Sequence, residues 1–282
     1  MFFTSPVMGI TLDGVSFIFL LCRLMKMRPI KKLFLTIMMC CVCAGAWAQQ
    51  EEAEFTADRP GASTGPSVVG HHVVQLEQGI QYDRDGSSFG TYTFSNTLLR
   101  YGLFPNMELR LGGDAFLYPS GGGDISYSPA FSGISLGTKI KCFEGMGPIP
   151  AVSVLADFSI PRTASQGFNV DHLAPSLYLL FENPVCDWLN IGYNLGAEWD
   201  GTLPGATTFA ALCLGFSASD SLGCFVESYN YFNELGNAYC MDFGLNWQVS
   251  RKVQLDIAAN MDLTNPAQCW AISCGVAWQI NR

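Results

Sequence analysis

From Leu189 to Asp200 every odd position is apolar and every even position is polar or glycine: Leu-Asn-Ile-Gly-Tyr-Asn-Leu-Gly-Ala-Glu-Trp-Asp. Alternate side chains of a strand point to opposite faces, so this stretch has one oily face and one wet face. A tilted membrane strand needs about 9–11 residues, and this one is long enough. The same rhythm returns in Tyr239–Val249, Val253–Met261 and Trp270–Ile280. Read this way, the chain predicts strands near 72–83, 91–101, 107–117, 131–142, 150–160, 172–182, 188–199, 206–218, 223–232, 239–249, 253–262 and 268–280. Segments 91–101, 206–218 and 223–232 alternate less cleanly. About twelve strands, an even number, predict an all-β, membrane-spanning, antiparallel up-and-down β-barrel.

Connection lengths point the same way. Gly102–Asn106, Glu144–Pro148, Asn183–Asp187, Ser219–Leu222 and Ser250–Lys252 read as short turns. Between them fall longer Gly/Pro/Ser-rich connections, notably 118–130 and 161–171, expected as loops. Short periplasmic turns and longer external loops are the habit of outer-membrane barrels, and they place both chain ends on the periplasmic side.

Composition narrows the class. Only 14% of residues are charged although 49% are hydrophobic, against about 25% charged in soluble domains. After residue 50 the apolar residues never form the run of about 18 that a membrane helix requires. At the start, Met27-Arg28-Pro29-Ile30-Lys31-Lys32 is a basic leader, Leu33–Ala44 an apolar stretch and Ala46-Trp47-Ala48 a cleavage motif. Residues 1–48 are therefore expected to be a signal peptide, with 1–26 an extension ahead of a true start at Met27. Residues 49–70 would be a periplasmic leader or a partial plug, and 71–282 the barrel. The expected address is the outer membrane of a Gram-negative cell, after cleavage near Ala48.

Without residues 1–48 the chain loses five basic and one acidic residue and carries a net charge of −13. That argues against nucleic acid as a partner and fits a wet interior mildly favouring neutral or cationic solutes. The expected partners are outer-membrane lipid, the barrel assembly machinery and a small-molecule solute. The seven cysteines beyond residue 48 show no zinc-like spacing and read as small apolar fillers. No cofactor or metal is expected.

On the strand at 107–117, Met107, Leu109, Leu111 and Ala115 share one face, while Glu108, Arg110, Gly112 and Asp114 share the other. The second set would face the lumen, with Arg100 on the preceding strand and Lys139 and Lys141 on a later one. These cations would meet Glu77, Asp157, Glu198, Asp242 and Asp256 across the interior, as struts or as a solute-selecting ring. Asp58-Arg59-Pro60 precedes the first strand, and Arg59 could reach lumen carboxylates if this segment folds inward. Catalysis finds little support. His71 and His72 sit together at the start of the first strand, and His172 and Ser176 lie about 13 Å apart if both are on one strand face, too far for proton transfer.

Phe55-Thr56-Ala57-Asp58-Arg59-Pro60-Gly61, Gln75-Leu76-Glu77-Gln78-Gly79, Asn96-Thr97-Leu98-Leu99-Arg100-Tyr101-Gly102-Leu103 and Glu108-Leu109-Arg110-Leu111 follow in that order. This run resembles the family of outer-membrane transporters named for the meta-pathway of phenol degradation, whose members open on T-D-R-P. The likeness is specific from Thr56 to about Gly113, and Ala57 is an insertion within it. The resemblance implies a porin-like barrel passing a small solute, with aromatic or otherwise hydrophobic compounds as the class the name suggests. A packed, non-conducting surface barrel and, less favoured, an outer-membrane lipid hydrolase are the alternatives.

Overall fold

A computed structural model of the chain describes residues 55–86, 89–120, 126–202 and 205–280. The expected signal peptide and the first residues of the leader lie outside the described residues.

Thirteen strands form one sheet: β1 (Val74–Asp85), β2 (Thr91–Phe104), β3 (Met107–Ser120), β4 (Ser126–Phe131), β5 (Ser135–Phe143), β6 (Ala151–Ser159), β7 (Ala174–Cys186), β8 (Leu189–Glu198), β9 (Thr207–Ser217), β10 (Leu222–Asn233), β11 (Gly236–Ser250), β12 (Val253–Asp262) and β13 (Cys269–Gln279). Every pairing is antiparallel, and β1 joins both β2 and β13, which closes the ring. β4 pairs with Ala115–Ser120 of β3, and β5 pairs with Met107–Gly112 of the same strand. Together they make one stave broken at Ser132–Ile134, so the barrel has twelve staves. Closure matters because hydrocarbon offers backbone amides no partner.

The connection expected at 118–130 is a correction. β3 runs to Ser120 and β4 begins at Ser126, so most of that stretch is hairpin. Its Ser and Pro content disguised it. Serine hydroxyls bond one another across the hairpin, as with Ser120 and Ser128 at 2.7 Å, and Pro129 is tolerated because β4 is paired on one side only among the described residues. The stretch at 161–171 is irregular, as expected, and it mends the broken stave. Thr163 Oγ1 accepts the Ile134 amide at 2.9 Å, and Ser165 Oγ accepts that of Phe131 at 2.9 Å. Orphaned backbone donors at the break are thereby satisfied.

Register fixes what faces where. Ile80, Phe94, Leu195, Leu212, Ile257 and Ile272 point outward and stay about half exposed, forming part of an apolar outer belt. Gln75, Glu77, Arg100, Glu108, Lys139, Asn194 and Glu227 point inward and are almost wholly buried. A soluble domain arranges its residues the other way round. A closed ring with this inversion is an outer-membrane barrel. Arg in place of Ile257, midway along β12, should cost about 2–4 kcal/mol, whereas Arg in place of Leu235 in a turn should cost about 0–1 kcal/mol. Urea unfolding in lipid vesicles measures both, and equal effects would mean that Ile257 does not face the hydrocarbon.

Candidate functional site

Residues 55–70 do not trail from the barrel. They run inside it, and inward-facing side chains of successive strands hold them there. The β1 residue Glu77 accepts the backbone amides of Asp58 (3.1 Å) and Arg59 (3.2 Å). On β8, Asn194 brackets Thr64, accepting its amide at 2.7 Å and donating to its carbonyl at 3.0 Å. Asp242 of β11 accepts the Ala62 amide at 3.2 Å. Glu108 accepts the Val69 amide at 2.8 Å, and the Ser153 hydroxyl donates to the Pro66 carbonyl. An irregular segment inside a lumen has no ladder to satisfy its backbone, so the wall must supply the partners.

The centre of this arrangement is Asp58. Its carboxylate meets Lys139 Nζ at 2.7 Å, Arg110 Nη1 closer still, and Arg100 Nη1 at 3.4 Å. Arg100 also binds Glu77 and Glu108, each at 2.8 Å, and Arg110 binds Glu108 at 2.9 Å. Lys139 donates further to the Gly65 and Ser67 carbonyls, both at 3.1 Å. Burial alone would raise the Asp58 carboxyl. Arg100, Lys139 and Arg110 outweigh it and hold Asp58 well below the usual carboxylate range.

Arg59 turns to the opposite side. Its guanidinium contacts Asp256 at 3.1 Å and 3.2 Å and donates to Asn96 Oδ1 at 2.8 Å. Gly79 and Gly275 face each other in the β1–β13 register directly beneath it. A Cβ on either would overlap the guanidinium, so this glycine pair is the seat that lets an arginine lie flat on the wall.

The candidates named from the sequence divide into two groups. Asp58, Arg100, Glu108, Arg110, Lys139 and Glu77 share one network; Asp157 touches its margin through Arg110 at 3.5 Å, and Arg59 couples Asp256 to the same segment. Asp114 joins Arg59 through Asn96, which donates to it at 2.8 Å. Two others stand apart: Glu198 is bound by the Tyr178 hydroxyl at 2.7 Å, and Lys141 pairs with Glu144 at 2.7 Å. Asn96, Asn194, Gln75 and Glu227 also face inward but escape a search for charged residues on clean alternation. His172 places Nδ1 3.3 Å from the Gly201 carbonyl, and Ser176 lies on the inner face of β7, opposite Asp157.

Two cavities meet at the inner segment. One of about 570 Å³ lies toward the longer loops and is lined by Asp58, Arg59, Asn96, Arg110 and Asp114 among others. Another of about 240 Å³ lies toward the short turns, lined by Gly61, Asn190, Phe225, Glu227 and Asn246 among others. Asp58, Arg59, Pro60, Gly61 and Thr64 border both.

The sequence from residue 57 to residue 280 matches the family described as "Putative MetA-pathway of phenol degradation". The chain belongs to this family. Among solved structures, the fold is similar to an outer membrane channel from Pseudomonas putida F1, at TM-score 0.61 and 11% identity over 79% of this chain and 99% of that one. It is also similar to the NanC porin, at TM-score 0.51 and 8% identity over 73% of this chain and 100% of that one. No curated protein sequence matches. The structural likenesses are of fold, and they place this family member among outer-membrane channels and porins in architecture.

Removing one partner from a buried ionic cluster strands the others, at a cost of about 3–5 kcal/mol. Asp58→Asn should lower the stability of the family member's barrel by that order in urea unfolding, and a loss under about 1 kcal/mol would show the cluster to be solvent-screened. A carboxylate whose folded value is depressed contributes its full stability well above its unfolded value, about 3.9, and loses it progressively as pH falls from there through the lower folded value. The Asp58 contribution should therefore stay constant from pH 8 to about 5. A wild-type minus Asp58→Asn difference that shrinks between pH 7 and 5 would contradict this.

Proposed function

We propose that the protein is a porin-like passive pathway across the outer membrane in which residues 55–70 act as a partial plug. The observation that carries this reading is that Asp58, Arg59, Pro60, Gly61 and Thr64 border the cavities on both sides. A solute moving from the outer cavity to the inner one must pass that segment or displace it. The segment's attachments are side chains rather than a continuous ladder, so displacement breaks a countable set of bonds.

The solute class follows from the lining. Acidic groups outnumber basic ones, which favours small neutral or cationic compounds over anions. Aromatic compounds, the class that the family description suggests, find stacking surfaces at the outer end. Phe116 and Tyr118 line the inner face of β3, and Phe168 packs on them at ring separations of 4.9 Å and 5.1 Å. A second reading, a closed structural barrel, draws on the same charge network, since a lumen so thoroughly bonded could remain shut.

Planar-bilayer recording of the purified barrel separates the two readings. Discrete openings are expected, rare or small in the wild type and several-fold larger when residues 49–70 are deleted. Arg59→Ala, which leaves the segment in place, should raise open probability, and Arg110→Ala should shift the reversal potential toward cation selectivity. A folded barrel that stays silent in all four forms would establish the closed reading. Openings unchanged by the deletion would leave a pore without a plug.

A further inference from the structure

The inner wall is electrostatically lopsided. On the β1–β6 side every carboxylate of the central network has a basic partner. On the β10–β11 side, Glu227 and Asp242 stand opposite each other in register, 1% and 4% exposed, and neither forms an ion pair among the described residues. The Ser63 hydroxyl and the Ala62 and Ser63 amides approach Glu227 from the inner segment, but none meets either of its oxygens in full hydrogen-bond geometry. Asp242 Oδ1, on the residue opposite Glu227, and Asn246 Oδ1 are buried and likewise lack a donor in such geometry. Buried polar atoms are nearly always satisfied, and a buried carboxylate left without a donor is costly.

Glu227 and Asn246 line the 240 Å³ cavity on the periplasmic side of the segment. Their unmet atoms there are all acceptors. Arg59, the one basic side chain on that lining among the described residues, is turned away to Asp256. Phe225, two residues before Glu227 on the same inward face, spreads its ring over Gly244 and against Gly61. Gly61 has no space for a side chain, because a Cβ would come within 2.7 Å of Glu227 Oε2. A carboxylate, an amide oxygen and an aromatic face around a small chamber are the recognition elements for an organic ammonium ion: charge and hydrogen bonds at its head, and attraction to the ring. At about 30 Å³ per water, the volume holds a solute of a few heavy atoms, such as a short alkylamine.

We infer that the cavity bounded by Glu227, Phe225 and Asn246 is a binding site for small organic cations bearing an ammonium group. The inference rests on the pathway reading in one respect: such a cation would be a solute in transit. It narrows the solute class to one that the aromatic surfaces at the outer end do not specify. It also gives the inner segment a second contact with the solute, since Gly61 and Ser63 form part of the chamber wall.

Saturation-transfer NMR on the detergent-solubilised full barrel tests it directly, with ethylammonium chloride as probe and ethanol as the uncharged counterpart. Ethylammonium should bind and ethanol should not. Glu227→Gln, which keeps the shape, should weaken ethylammonium at least tenfold, and Asp242→Asn should weaken it less. Glu198→Gln, which alters a lumen carboxylate already held by Tyr178, should leave binding unchanged. Heat-modifiable migration checks that each variant is folded. Equal loss in Glu227→Gln and Glu198→Gln would reveal general attraction to an acidic lumen and overturn the site. No binding to a barrel that conducts potassium would also overturn it, leaving the pore intact and the orphan oxygens to a proton or water. Binding that depends on Glu227 in a barrel that never conducts would keep the site but remove its role in transit, and with it the pathway reading.

Discussion

Hydrocarbon provides neither donors nor acceptors, and most of what this molecule does follows from that. The backbone must satisfy itself around a closed ring, which imposes a strict alternation of outward and inward side chains. Outward positions are free to be Ile, Leu and Phe. Inward positions face a space too narrow to resemble bulk water, so any charge placed there needs a partner of its own. The wall cannot supply every partner, because its inward residues are set by pleat and register. The inner segment, which has no ladder to obey, can place an Asp58 carboxylate among Arg100, Arg110 and Lys139 and an Arg59 guanidinium on Asp256. Around Asp58 and Arg59, wall and segment neutralise each other.

That division also explains where the lumen is full and where it is hollow. Near β1–β6 the cluster of long charged side chains occupies the interior. Toward β8–β11 the inward positions include Gly192, Gly215, Gly223 and Gly244, and it is there that the lower cavity opens. Small residues make room, and in that room Glu227 stands without a basic partner. A barrel of twelve staves lies between the filled and the open cases, and its interior is decided locally, wall by wall.

How much of this could be read from the chain depends on the strand. On β3 the alternation of Met107, Leu109 and Leu111 with Glu108, Arg110 and Asp114 is clean, and the inward set is legible at once. β10 hides its inward face, because Phe225, Tyr229 and Tyr231 point into the lumen beside Glu227 and blur the two-residue period. Glu227 was therefore invisible to a search for polar positions between apolar ones. β4 was hidden for a related reason, since a serine- and proline-rich hairpin carries the composition of a loop. The seat for Arg59 is illegible in principle: Gly79 and Gly275 are almost two hundred residues apart, and only the β1–β13 register brings them under one side chain. Glu77 and Asp58 were both legible as charges, but their joining depends on the segment entering the lumen, which no local pattern encodes.

The two charged residues at the head of the segment are unequally held, and this bears on any motion of the proposed plug. Asp58 is met by three cations from β2, β3 and β5, and its carboxylate is almost fully buried. Among the described residues Arg59 is met by Asp256 and Asn96, with 12% of its side chain exposed at the edge of the outer cavity. Ion pairs weaken as water reaches them, whereas a buried carboxylate among three cations has nowhere else to be satisfied. Beyond Arg59, the segment's links to the far wall are few: one bond from Ala62 to Asp242, then the pair between Thr64 and Asn194. Displacement would therefore begin at Arg59 and run toward Thr64, turning about a fixed Asp58. Such a swing would join the two cavities along the β8–β12 side, past Glu227, and leave the charge cluster around Asp58 in place.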